Sequence, residues 1–122
     1  MKISVIIVSY NCKAFLDYCL QSVSKALKQI DSEILVIDNC STDGSVEYLK
    51  SKKYDLRIIE NKENLGFSKA NNKAAKLAKG EYLFFLNPDT IIPEDLIESF
   101  FKNKKPNTGI FSFRMIDGEG IF

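Results

Sequence analysis

Short apolar runs, rich in β-branched and aromatic residues, recur along the chain: ISVIIVS (3–9), EILVID (33–38), LRIIE (56–60), YLFFL (82–86) and GIFSF (109–113). Between them the apolar period changes from two to that of a helix. Residues 13–30 repeat Phe15, Leu16, Cys19, Leu20, Val23 and Leu27, and 67–78 repeat Phe67, Ala70, Ala74, Leu77 and Ala78. A third helix is expected from Pro93, which suits a first helical position. Glu94 and Asp95 there face the positive end of the dipole, and Leu96, Ile97, Phe100 and Phe101 form the buried face. A weaker helix covers about 45–52. Strands that read as buried on both faces, alternating with helices, predict an α/β fold of three layers: a mostly parallel sheet with helices on both faces. The order 3-2-1-4 is expected for the first four strands.

In such sheets ligands collect at the carboxyl ends of the strands, where the strand order reverses. Each of the first four strands ends in polar residues: Ser9-Tyr10-Asn11, Asp38-Asn39, Glu60-Asn61 and Asn87-Pro88-Asp89. Proline ends the fourth strand because it has no N–H to give a sheet and holds its predecessor extended. A single polar strand end is ordinary loop chemistry, but four on one rim point to a binding site.

Composition narrows the chemistry. The 122 residues contain no histidine, so Ser-His-Asp and Cys-His nucleophiles and imidazole zinc sites are excluded, and acid–base work falls to carboxylates. Cys12, Cys19 and Cys40 form no CxxC pair and are odd in number, which suits core-filling thiols in a reducing, cytoplasmic setting. A net charge of +1 gives no electrostatic case for nucleic acid, and only Arg57 and Arg114 offer guanidinium forks for phosphate. No apolar run approaches a membrane span, so membrane contact is expected to be peripheral, at the inner face. Neither G-x-G-x-x-G after the first strand nor a P-loop occurs. A phospho-receiver domain has this length and topology, but it needs an acidic pair after the first strand and a lysine after the fifth. This chain has Ser9-Tyr10 and Ser112-Phe113-Arg114 there.

VIIVSYN (5–11), VIDNCSTDGS (36–45), NLGFSKANN (64–72) and YLFFLNPDT (82–90), in this order and at these intervals, resemble the N-terminal half of a family 2 glycosyltransferase of the GT-A fold. LNPDT is similar to a subgroup that includes many rhamnosyltransferases. The resemblance implies sugar transfer, usually with inversion, from a UDP- or dTDP-sugar to a saccharide or lipid-linked acceptor in polysaccharide biosynthesis. It also implies Mg²⁺ or Mn²⁺ at a D-x-D-like motif. Asp89 matches the metal carboxylate, and Asn87 stands where relatives often carry an acid. The resemblance makes Tyr10, flanked by Ser9 and Asn11, the aromatic on the nucleobase. Asp38, followed by Asn39, becomes the acceptor for an imide N–H of uracil or thymine. Gly66 lets backbone approach the donor, and Asn71 lies near positions where relatives carry arginine. Magnesium takes one or two protein carboxylates and completes its octahedron with phosphate and water, which a single Asp89 satisfies.

Other residues read as structural. Asp43, with Ser41, Thr42 and Gly44, suits a helix cap, and Lys69, Lys73 and Lys76 suit the solvated face of a helix rather than a phosphate claw. RMIDGEGIF (114–122) reads as a strand end, an Asp-Gly turn and the opening of a return strand, with Asp117 and Glu119 as turn residues. The general base of an inverting transfer is therefore expected beyond residue 122, and 1–122 is expected to be a single, incomplete nucleotide-sugar-binding domain. Met115, Ile116, Ile121 and Phe122 would then be left uncovered, favouring self-association. A nucleotide-binding module without catalysis and a partner-docking domain are the alternatives from other classes.

Overall fold

A computed structural model describes residues 1–119. The chain runs β1 (Ile3–Ser9), α1 (Lys13–Ala26), β2 (Ser32–Asp38), α2 (Ser45–Ser51), β3 (Arg57–Glu60), α3 (Phe67–Leu77), β4 (Tyr82–Leu86) and α4 (Leu96–Asn103). The four strands are parallel in the order β3-β2-β1-β4, as the sequence predicts. Ser9 aligns with Asp38, Asp38 with Glu60, and Ile7 with Leu86, so the polar strand ends share one rim.

The pleat of β1 divides the core. Ile3, Val5 and Ile7 face α1 and α4, packing on Leu16, Leu20, Val23 and Ile97, whereas Ile6 and Val8 face α3 and meet Ala70 and Ala74. All seven residues of β1 are buried, which is why the run carries no polar alternation beyond its serines. Ser4 escapes a desolvation cost by donating to Glu33 Oε1 at 2.7 Å.

Three expectations fail. The helical pattern over 13–30 stops at Ala26, because the chain must turn into β2. Bonds from Lys28 N–H to the Lys25 carbonyl and from Ile30 N–H to the Leu27 carbonyl tighten that turn. Pro93 does not begin α4; it sits in the preceding turn, where its carbonyl accepts Leu96 N–H, and Asp95 is the residue at the helix start. Finally, 109–113 is not a strand. Phe111 stacks on Phe100 at 3.8 Å and Phe113 meets Phe84 edge-on at 5.5 Å, so the segment docks by its aromatic side chains without joining the backbone ladder. The Asp-Gly turn does form, with Asp117 Oδ1 accepting Glu119 N–H at 2.9 Å. The return strand, with Ile121 and Phe122, lies outside the described residues.

Candidate functional site

The carboxyl rim continues the sheet by one step: Asn39 N–H donates to the Ser9 carbonyl, and Asn61 N–H to the Asp38 carbonyl. The chain then leaves each strand sharply. Asn11 and Cys40 both adopt positive φ, 49° and 65°, an uncommon conformation for residues other than glycine. The two turns brace each other. Asn11 Oδ1 accepts Thr42 N–H at 2.8 Å, and Asn11 N–H donates to Ser41 Oγ at 3.0 Å.

Asp38 lies at the centre of this rim and is 2% exposed. Its Oδ2 accepts Ser41 N–H at 2.9 Å, but its Oδ1 is buried with no hydrogen-bond partner among the described residues. A desolvated carboxylate oxygen without a donor is unfavourable, by roughly 1–3 kcal/mol or more for a charged group, and an incoming N–H or O–H would relieve it. Ser9 beside it is buried, its Oγ 3.1 Å from Cys12 Sγ, and Tyr10 is half-exposed at the strand end.

Asp89 lies across the order reversal, beyond the end of β4, on the other side of β1 from Asp38. The turn that carries it is closed by the backbone, Thr90 N–H donating to the Asn87 carbonyl, and among the described residues no hydrogen bond or ion pair engages the Asp89 carboxylate. An aspartate that merely capped its own turn would be bonded to it. The Asn87 side chain is exposed alongside. This hard-oxygen pair, an exposed carboxylate and an amide two residues apart, fits a divalent cation shared with a diphosphate. Among the described residues no three acidic, cysteine or histidine side chains gather into a cage that would hold a metal alone.

Buried polar groups on α1 hold this loop from below. Ser22 Oγ accepts Ile92 N–H at 3.1 Å, and Cys19 Sγ lies 3.8 Å from the Asn87 carbonyl. Burial, reinforced by Cys12 and the Asp89 charge, pushes the Cys19 thiol up to about 12, so it stays neutral and serves packing, as the cysteine count suggests.

The remaining residues sort differently. Gly66 is exposed at φ 77° and ψ 171°, a conformation essentially restricted to glycine, at the start of α3. Asn71 is buried and its amide turns back to the Phe67 carbonyl. Asn39 is buried and bonded to the 61–66 loop through both ends of its amide. Lys69, Lys73 and Lys76 are all exposed as expected, and Lys73 also reaches Asn61 Oδ1 at 2.5 Å. Asp43 is a structural residue of wider reach than a cap. Its carboxylate accepts Lys13 N–H at the start of α1 and both N–H and Oγ–H of Ser45 at the start of α2. Burial raises its pKa, but these bonds outweigh that and hold it low. An open groove of about 670 Å³ beside α1, with Phe15, Tyr18 and Tyr48 in its walls, includes Asn11 but not Asp38, Gly66 or Asp89, and so is not the rim site.

The model of the family Glycosyl transferase family 2 matches residues 4–118. Among curated relatives, the poly(ribitol-phosphate) beta-glucosyltransferase of Bacillus spizizenii is 34% identical over 99% of this chain. A putative teichuronic acid biosynthesis glycosyltransferase of Bacillus subtilis, TuaG, is 35% identical over 91% of it. The chain spans only 20% and 45% of those two proteins. Among solved structures, Staphylococcus aureus TarS 1–349 with UDP-GlcNAc superposes with TM-score 0.75 at 28% identity, covering 84% of this chain and 30% of that one. The mannosyltransferase PcManGT of Pyrobaculum calidifontis, with GDP-Man and Mn²⁺, reaches 0.80 at 25% identity, covering 88% and 34%.

Proposed function

Because the chain belongs to glycosyltransferase family 2, we propose that residues 1–122 form the part that binds a UDP- or dTDP-sugar. In the whole protein a hexosyl or rhamnosyl group would be transferred to a saccharide or lipid-linked acceptor, with inversion. The observation that carries this reading is the unpartnered Asp38 Oδ1 on the same rim as the unengaged Asp89. An imide N–H of uracil or thymine supplies the missing donor. Because Oδ1 is buried, entry of the base requires the surrounding rim to yield. Tyr10 packs on the base, and Gly66 leaves room for the ribose and diphosphate.

Asp89 and Asn87 would hold Mg²⁺ or Mn²⁺, which, when bound, supplies positive charge against the developing diphosphate leaving group. The chain has few arginines to do so instead. Asp117 and Glu119 belong to a turn, so neither is assigned as general base, and residues 1–122 are expected to bind donor without transferring it. A poly(ribitol-phosphate) beta-glucosyltransferase and a putative teichuronic acid biosynthesis glycosyltransferase among the relatives support a polysaccharide-type polymer as the acceptor or product. The transfer itself would take place in the cytoplasm, at the inner face of the membrane. No helix among the described residues is long and apolar enough to cross one. Ile110, Met115 and Ile116 are exposed, and they favour self-association, which light scattering tests.

Calorimetry tests the donor site. UDP should bind more tightly with Mn²⁺ than with chelator, and more tightly than CDP, whose N3 is an acceptor that would face a carboxylate. The base preference should be about 1.5–3 kcal/mol, or one to two decades. Guanine offers a similar N–H, so GDP probes the size of the pocket. Equal affinities for UDP and CDP would make Asp38 a structural residue, and indifference to Mn²⁺ would remove the metal.

A further inference from the structure

Asn39 follows Asp38 directly, and its residue type and place suit a nucleotide contact, yet its amide is engaged elsewhere. Oδ1 accepts Asn61 Nδ2 at 2.9 Å and Leu65 N–H at 3.4 Å, while Nδ2 donates to the Gly66 carbonyl at 3.3 Å. Asn61 is also buried, and its own Oδ1 accepts Lys73 Nζ at 2.5 Å. The result is a chain of bonds from the surface of α3, through two buried amides, to the residue beside Asp38.

We propose that Asn39 and Asn61 are positioning residues of the donor site, a buried amide pair that sets where Gly66 and the start of α3 stand relative to Asp38. This rests on reading Asp38 as the acceptor of the base. The loop between β3 and α3 needs such a device. Its Gly66 takes a conformation that local preference does not select, and the loop's own bond from Gly66 N–H to Asn64 Oδ1 spans only two residues. Beyond the Asn61 N–H on β2, the bonds that tie this loop to the sheet come from the Asn39 side chain. Two amides suit the task because each presents a donor and an acceptor without a charge. An apolar residue at position 39 would leave Leu65 N–H and the Gly66 carbonyl without these partners.

The test is a double-mutant cycle on residues 1–122, with UDP and CDP affinities and thermal melts for the wild type, Asn39→Ala, Asn61→Ala and the double variant. Each single change should weaken UDP about tenfold, the scale on which loss of a supporting hydrogen bond acts at metal sites, and shrink the UDP-over-CDP preference. The double variant should be little worse than the worse single, since both act through one loop. If Asn39→Ala loses affinity while Asn61→Ala binds as the wild type does, Asn39 touches the nucleotide itself and the inference is wrong. Lower melting temperatures with an unchanged UDP-over-CDP ratio would show a merely structural pair, which also overturns it. Should Asn39→Ala not fold, Asn61→Ala and the surface change Lys73→Met decide the matter, and wild-type UDP binding by a folded Asn61→Ala sinks the proposal. A wild type without base preference would instead bring down the reading of Asp38, and this inference with it.

Discussion

The two ends of the sheet differ in how they treat their carboxylates. At the amino end, Glu33 Oε1 accepts Ser4 Oγ–H at 2.7 Å and Lys79 N–H at 2.6 Å, and Oε2 accepts Arg57 at 3.1 Å. Arg57 continues to the Leu77 carbonyl, and Gly80 N–H returns to Ser4 Oγ. At the carboxyl end, among the described residues, Asp38 Oδ1 is buried without a partner and the Asp89 carboxylate is unengaged. Both ends belong to the same strands and the same helices, so the difference is not one of fold. The amino end is closed because it only has to hold together. The carboxyl end is left open at Asp38 and Asp89, the two carboxylates of the proposed donor site, a pattern expected where a site gives up stability for function.

Substitutions can break or sharpen this contrast. Gly80→Ala should have the largest effect, because a Cβ there would stand 2.4 Å from Ser4 N and 2.5 Å from the Ile3 carbonyl carbon, both backbone atoms that cannot step aside. A loss of about 3 kcal/mol in urea unfolding is expected. Glu33→Ala should cost about 2 kcal/mol by stranding its donors.

Burial raises the Glu33 pKa, but the Ser4, Lys79 and Arg57 bonds outweigh it and leave it below the usual 4.5. The stabilisation from this carboxylate is thus complete above that value and is lost as pH falls through the depressed one. Glu33→Gln should flatten that part of the acid limb of an unfolding titration.

Smaller effects belong to the other rim. Asp38→Asn should leave the fold as stable as before or about 1 kcal/mol more so, while abolishing the preference for UDP, because an unpaired charge has been removed. Asp89→Ala should change stability by less than about 0.5 kcal/mol and abolish the effect of Mn²⁺ on UDP affinity. If either rim variant unfolded as readily as Glu33→Ala, the contrast between the two ends would not survive.

Much of this was legible before any coordinates. A run such as ISVIIVS is buried on both faces only in a covered parallel sheet, and the usual 3-2-1-4 order of such sheets put Tyr10, Asp38 and Asp89 at one rim. The strands β3 and β4 are, however, more open than their apolar runs suggest, with Phe85 48% exposed. Segment 109–113 misled because an alternating Phe111/Phe113 pattern serves an aromatic cluster as well as a strand, and periodicity does not say whether backbone or side chains make the contact. Pro93 misled because its fixed φ suits a turn as well as a first helical position. The Asn39–Asn61 pair was beyond reach for a different reason. An asparagine at a strand end is equally suited to a ligand or to a neighbouring loop, and only the third dimension brings residues 39, 61 and 73 together.

The central position of β1 also has a consequence in time. Its neighbours are β2, which begins at Ser32, and β4, which begins at Tyr82. A ribosome adds roughly 5–20 residues per second. The first strand therefore emerges early, gains a partner on one side, and waits seconds longer for the other. During that interval one flank of VIIV, the most apolar stretch of the sheet, is open to any passing strand or chaperone. The residue run that makes the finished molecule secure is the one that exposes the nascent chain to the greatest hazard.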